Sequence, residues 1–280
     1  MATLSNINIE QEILKGNILI FPFDDKQIRG ASYNFKVSKF AWKLEDGKTD
    51  YETAYDEQNN LVRIPAKATG LILTHEIIWV SNKISGTYHS KVAIVCKGVG
   101  HIGTTLDPEY IGPSLIAIHN HSSKPIEFTP ERETFVSLVF QYLDASSSIH
   151  HGNSPGRLDV FNDLGIRLSQ YPEVQRYLDQ DLVKNPTSLK LALHGSDEFK
   201  EFKRKLEKKK YWFLIPYAII VPIFILLAIS SGILHGNENN FKKHSWYKIS
   251  TSVVDNSLIA FAAAFITQLA SDIRHKYKEE

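Results

Sequence analysis

One cysteine in 280 residues, Cys96, leaves no partner for an intramolecular disulfide and no thiolate set for a structural zinc site. This usage fits a reducing compartment, and the lone thiol is expected to be a small buried side chain. Excess charge is missing too. The 32 Lys and Arg are matched by 31 Asp and Glu, so the basic stripe of a nucleic-acid binder is not expected. No repeat or low-complexity tract interrupts the chain. The opening MATLSNINIEQEILKGN has no basic stretch followed by an apolar core, so no secretory leader is expected there.

Apolar residues are distributed unevenly. YWFLIPYAIIVPIFILLAISSGIL, Tyr211 to Leu234, carries no charge over 24 residues, and about 20 suffice to span a bilayer core. Pro216 and Pro222 are tolerated in such helices. A second segment, Ile249 to Ser271, is interrupted by Asp255, Asn256 and Gln268. Its alanines at 260, 262, 263 and 264 suit close helix packing in a membrane, and a charged Asp255 there marks a functional or packing position together with Asn256. A helix lying in the interface is the alternative for this second segment. KRKLEKKK precedes the first segment and RHKYK follows the second, whereas residues 235–248 between them are less basic. The positive-inside rule then predicts a multi-pass inner-membrane protein with the N-terminal domain and the 272–280 tail in the cytoplasm.

The remainder reads as a soluble, mainly β domain over residues 1–145. NILIFPF, SYNFKVSKFAWKL, GLILTHEIIWV, SKVAIVCKGV, SLIAIHNH and TFVSLVFQYL are rich in β-branched and aromatic residues and punctuated by turn formers, which predicts strands of a barrel or jelly roll. NIEQEILKGN predicts a helix, with Asn8 as a possible cap. Residues 146–171 are polar and turn-rich, a loop or lid. Residues 172–210 predict a helical linker. Pro172 stands at a first helical position, and Ser196 or Asp197 caps a lysine-ended helix.

Three stretches carry a family resemblance. FPFDDKQIRGASYNFKVS is similar to the opening signature of dCTP deaminases. LILTHEIIWVSNKISG resembles their Thr-x-Glu segment. TLDPEYIGPSLIAIHN resembles both their Ile-Asp-Pro strand and the Asp-x-x-Tyr-x-Gly motif of the trimeric dUTPases. The resemblance covers Gly16 to Asp144, about half the chain. It implies a distorted jelly-roll, dUTPase-like barrel that forms a homotrimer or larger homo-oligomer, with nucleotide sites between subunits. It also implies zinc-free deamination by a glutamate general base, which must lie within hydrogen-bond reach of the attacking water.

Carried over residue by residue, the resemblance puts Ala117 where that glutamate belongs, so deamination by the family route is not expected. The phosphate motif falls on His89, Ser90 and Lys91, with His89 replacing an arginine. Lys91 offers a point charge without the bidentate geometry of arginine. Asp107 would hold water near the sugar, and is catalytic only in a magnesium-dependent pyrophosphatase. Tyr110 would pack on deoxyribose, unless it is simply core. Gly152, Gly156, Arg157 and Phe161 form a candidate phosphate-covering arm, or an ordinary loop. His119 and His121 share one strand face, and no metal site is expected from them. No other cofactor is implied.

These readings point to a catalytically degenerate nucleotide sensor coupled to a two-helix membrane effector. Its ligand would be a nucleotide or cyclic oligonucleotide, and its architecture is that of bacterial antiviral systems that disrupt membranes. Two alternatives stay open: a membrane-tethered dUTPase-like pyrophosphatase, and a trimeric scaffold that binds no ligand.

Overall fold

In the computed structural model the residues described are 2–100, 103–148 and 155–212. Beyond these it describes 221–223, 225–226, 229–230, 233, 252–257 and 259–267. Contacts divide the chain into two units, Met1–Lys203 and Arg204–Glu280.

The first unit is mainly β. After β1 (Ala2–Thr3) comes helix α1 (Asn6–Lys15), followed by β2 (Ile18–Phe21), β3 (Ile28–Arg29), β4 (Ser32–Leu44), β5 (Glu52–Thr53), β6 (Tyr55–Asp56), β7 (Leu61–Ile64), β8 (Thr69–Val80) and β9 (Ile84–Ser90). A helical turn, α2 (Val92–Val95), leads to β10 (Val99–Gly100), β11 (Thr105–Leu106), β12 (Ile111–Asn120), β13 (Ile126–Phe128) and β14 (Thr134–Tyr142). All pairings are antiparallel. One curled sheet runs β10-β12-β8-β4-β14-β9-β11, with β1, β2, β3 and β5 attached to its members. A smaller sheet runs β13-β7-β6. The inner face is packed with aromatic rings that meet in sequence: Phe23 on Tyr33, Tyr33 on Phe35, and Phe35 on Tyr88, at centroid separations of 6.4, 5.2 and 5.7 Å.

The central strand β8 is apolar almost without alternation because both its faces are covered. Its outer face, shared with β4 and β12, lies under the helices α3 (Leu158–Asp163), α4 (Pro172–Leu178) and α5 (Asp181–Lys184). Phe161 of α3 is fully buried against Trp42 at 4.7 Å, and Tyr171 meets Trp42 edge-on at 5.6 Å. Tyr177 packs on Phe40 at 5.0 Å. Phe161 is therefore a core side chain. Helix α6 (Pro186–Gly195) follows, and α7 (Asp197–Trp212) starts where the Ser196 hydroxyl accepts the Phe199 N–H at 3.3 Å. Phe199 and Phe202 pack on Phe23. Helices α3 to α6, and α7 up to Lys203, belong to the same compact unit as the sheet.

Three local expectations are corrected. Helix α1 is capped by Ser5, which accepts the Asn8 N–H, while Asn8 at the third helical position returns a bond to Ser5. The run 90–99 is not a strand. Its middle, residues 92–95, forms α2, whose Val92 and Val95 are 76% and 50% exposed, while β9 ends at Ser90 and β10 begins at Val99. Cys96 ends that outward-facing turn and is exposed, not buried.

In the second unit the described residues beyond α7 are helical. Among the described residues no helix is long and apolar enough to cross a membrane. The expected spans 211–234 and 249–271 lie partly outside the described residues, and so do the loop 235–248, the tail 272–280, His151 and Gly152. Asp255 is half-buried, and Asn256 is exposed with its amide reaching the Ser252 hydroxyl at 3.4 Å.

Candidate functional site

The Asp107–Gly112 turn is built tightly. The Tyr110 N–H donates to the Asp107 carbonyl at 3.2 Å and the Glu109 N–H to Val80 at 3.0 Å, with Glu109 at φ 63°. Gly112 has φ +134°, and a Cβ there would stand 3.0 Å from Pro155. Glycine is thus required twice, by backbone conformation and by the close approach of the 155–157 segment. Tyr110 is buried, its hydroxyl donates to the Pro113 carbonyl at 2.6 Å, and burial holds its phenol well above the usual range. The Arg157 guanidinium forks onto Asp159 at 2.8 to 3.2 Å. That contact and the nearby Tyr110 and Asp107 raise the pKa of Arg157 against the opposing effect of burial. Asp107, Tyr110 and Arg157 therefore come together, with the Asp107 carboxylate exposed.

The residues of the phosphate motif are placed by β9. Tyr88 is core, its hydroxyl 2.5 Å from that of Ser114. His89 is exposed and Ser90 half-buried. The Lys91 ammonium donates to the Thr134 hydroxyl, and burial together with the nearby Arg29 lowers its pKa. β11 pairs with β9 through Leu106 opposite Gly86. At ~3.3 Å per residue, His89 lies roughly 13 Å along the ladder from the level of Asp107. Within one chain the two halves of the expected nucleotide site stay apart.

Ala117 lies opposite Leu71, and Leu71 lies opposite Trp42. The three form a row across β12, β8 and β4, capped at one end by Phe161. The nearest titratable group along this face of β12 is His119, whose Nδ1 meets the Thr69 hydroxyl at 3.1 Å. The His119 and His121 rings are 6.0 Å apart. Among the described residues no group of three His, Cys, Asp or Glu could hold a metal ion. The lone Asp107 carboxylate would need a ligand's phosphates to complete a magnesium shell.

One acid, the glutamate of the Thr-x-Glu segment, was given no role from sequence. Glu76 of β8 is 1% exposed, and its carboxyl accepts the Lys36 backbone N–H at 2.9 Å. Burial pushes its pKa up to about 8, against the opposing backbone hydrogen bonds and the Lys36 charge. The available signal was a carboxylate, next to Thr74 and His75, in the middle of a largely apolar strand. Enclosed in this way, Glu76 cannot stand in for a base at Ala117.

The sequence model of the dCTP deaminase-like family matches residues 3–143, half of the chain. The chain belongs to the dCTP deaminase-like family. The dCTP deaminase of Pyrococcus abyssi is 28% identical over 144 residues, covering 51% of this chain and 89% of that protein. The dCTP deaminase of Thermococcus sibiricus is 29% identical over 134 residues, covering 48% and 81%. Among solved structures, the deaminase of Agrobacterium tumefaciens aligns with a TM-score of 0.40 at 10% identity, over 50% of this chain and 48% of its own. The dUTPase of Streptococcus mutans aligns at 0.33 and 14%, over 47% and 99%. Ala117, Asp107 and the His89–Lys91 stretch fall inside the dCTP deaminase-like span, whereas Arg157, Phe161 and the helices over the sheet fall outside it.

Proposed function

We propose that this dCTP deaminase-like domain binds a nucleotide or cyclic oligonucleotide without deaminating it, and passes the binding event to a membrane-embedded C-terminal pair of helices. The observation that carries the reading is Ala117. A methyl group cannot take a proton from water, and its row neighbours Leu71 and Trp42 are apolar. The ligand would lie between copies of the chain. Asp107 and Arg157 of one copy, with Tyr110 buried beneath them, would face His89, Ser90 and Lys91 of another, in keeping with their separation within one chain. A homotrimer is the assembly expected of such an arrangement.

The membrane half rests on the uncharged run 211–234 and the basic residues that flank both segments. Among the described residues of that region, Ile225, Leu226, Ile229, Ile233, Ile259 and Ile266 are all exposed apolar side chains, which suits a lipid surface. An inner-membrane location with both termini in the cytoplasm follows, and a role in antiviral membrane disruption is the effector function this architecture fits.

Incubating the purified protein with dCTP, dCMP and dUTP tests the reading. Binding without turnover is expected, weakened by Ser90→Ala and by Asp107→Ala. Repeated deamination would overturn it. Magnesium-dependent hydrolysis of dUTP, lost in Asp107→Ala, would establish the pyrophosphatase instead. In vesicles carrying the protein, bound nucleotide should release trapped dye, and Asp255→Leu should abolish release while leaving binding unchanged.

A further inference from the structure

The outer face of the sheet changes character along β4. Near its C-terminal end Trp42 is covered by Phe161 and Tyr171. Near its N-terminal end, where β4 joins β14 and β9, the face is polar. Tyr33 and Phe35 are core side chains, so Ser32, Asn34 and Lys36 lie on the opposite side of the strand. Asn34 is opposite Ser137, and Ser137 is opposite His89, which makes one polar row across three strands. Lys36 is opposite Thr134, whose hydroxyl accepts the Lys91 ammonium. A fourth strand, β3, adds Arg29 opposite Ser32. Directly opposed residues of an antiparallel pair share a face, so Arg29 belongs to this polar surface.

The surface is short of anions. Arg29 is exposed and near enough to Lys91 for its charge to act on that ammonium. Among the described residues no carboxylate pairs with either cation. Asp24 is engaged elsewhere, by Lys36 at 3.1 Å and by Gln27 at 2.9 Å. Two neighbouring cations repel, and an anion between them relieves the repulsion. The surface also has a donor to spare. Asn34 is 4% exposed, and its side-chain carbonyl accepts the Ser137 hydroxyl at 2.7 Å. Its amide nitrogen has no partner among the described residues and keeps accessible surface. A polar group held this deep normally bonds to the protein or to a bound molecule.

We propose that Arg29 is a ligand-binding residue, whose guanidinium and the Lys91 ammonium together hold the phosphates of the bound molecule over the Asn34 amide. The inference rests on the reading above that His89, Ser90 and Lys91 face the ligand, and it adds a residue from a different part of the chain. Arg29 contributes a planar fork that can bind two phosphate oxygens at once, which neither His89 nor Lys91 offers.

Calorimetric titration of the full-length protein with dCTP, deoxycytidine and inorganic tripolyphosphate tests the assignment. Arg29→Gln should weaken dCTP and tripolyphosphate about tenfold or more, the loss of one charge-assisted contact. Its affinity for deoxycytidine and its ligand-free unfolding midpoint should stay those of the parent. Arg29→Lys should recover part of the loss, because it keeps the charge but not the fork. Lys124→Gln, which removes an exposed cation elsewhere on the domain, should bind all three like the parent. The proposal is overturned if Arg29→Gln binds dCTP as the parent does, if its unfolding midpoint falls along with its affinity, or if Lys124→Gln weakens dCTP equally. A parent that binds tripolyphosphate but no nucleotide, with Arg29→Gln weakened for it, would remove the nucleotide reading and keep the assignment of Arg29. A parent that binds none of the three would remove both.

Discussion

Glu76→Gln is the substitution whose consequence follows most directly from the structure. The carboxyl is enclosed, and burial raises its pKa from an ordinary 4.5 to about 8. The folded protein therefore keeps this proton across a range in which the unfolded chain has lost it. For a raised pKa, the stabilising contribution is complete below 4.5 and disappears as pH rises through about 8. At ~1.4 kcal/mol per pH unit, the full difference amounts to roughly 5 kcal/mol, an upper figure because water entry softens the cost of a buried anion. Glutamine has nearly the same shape, its carbonyl can still accept the Lys36 N–H, and it does not titrate. Urea unfolding of both proteins from pH 5 to pH 9 measures the effect. Near pH 5 the two should agree within about 1 kcal/mol. As pH rises the parent should lose stability relative to the variant by several kcal/mol, so that near pH 9 the variant is the more stable. Parallel profiles would refute the reasoning, because they would mean that the acid is solvated or ionised at no cost.

Two further substitutions probe how the helices sit on the sheet. Phe161→Ala empties a fully buried ring site against Trp42 and should cost about 3–5 kcal/mol, seen as a lowered unfolding midpoint and faster proteolysis between residues 145 and 171. Gly112→Ala forces a side chain into φ +134° and against Pro155. It should cost about 1–3 kcal/mol, and the Arg157 side-chain signals should shift while those of Lys91 stay fixed.

Much of the β domain was legible because its strands announce themselves by composition. SYNFKVSKFAWKL is β4 residue for residue, and GLILTHEIIWV is β8 less one residue. The α2 turn was misread because Val92 and Val95 look like strand residues. β propensity reports fitness for a half-buried pleat, and these two side chains are exposed. β9, which lies just before that turn, was passed over because Gly86 and two serines mask its alternation. The helices 172–178 and 197–212 were legible from Pro172 and from the Ser196 cap, both local signals.

The covering of the outer face was legible only in a form that a single strand cannot interpret. β8 is largely apolar and buried on both sides, and a strand with one solvated face would alternate. Something therefore had to pack outside the sheet, and residues 158–184 do so, with Phe161 as the anchor. The same packing explains why the candidate sites divided as they did. Asp107 and Tyr110 met Arg157 because Gly112 admits the 155–157 backbone at 3.0 Å, a tertiary contact that no spacing rule encodes. The resemblance singled out Ala117, but its setting was not legible. Only the register, Ala117 to Leu71 to Trp42, shows that the row holding the alanine leads to the tryptophan beneath the helices. Restoring a carboxylate at 117 would thus place a charge on a face that packs apolar side chains a few residues away.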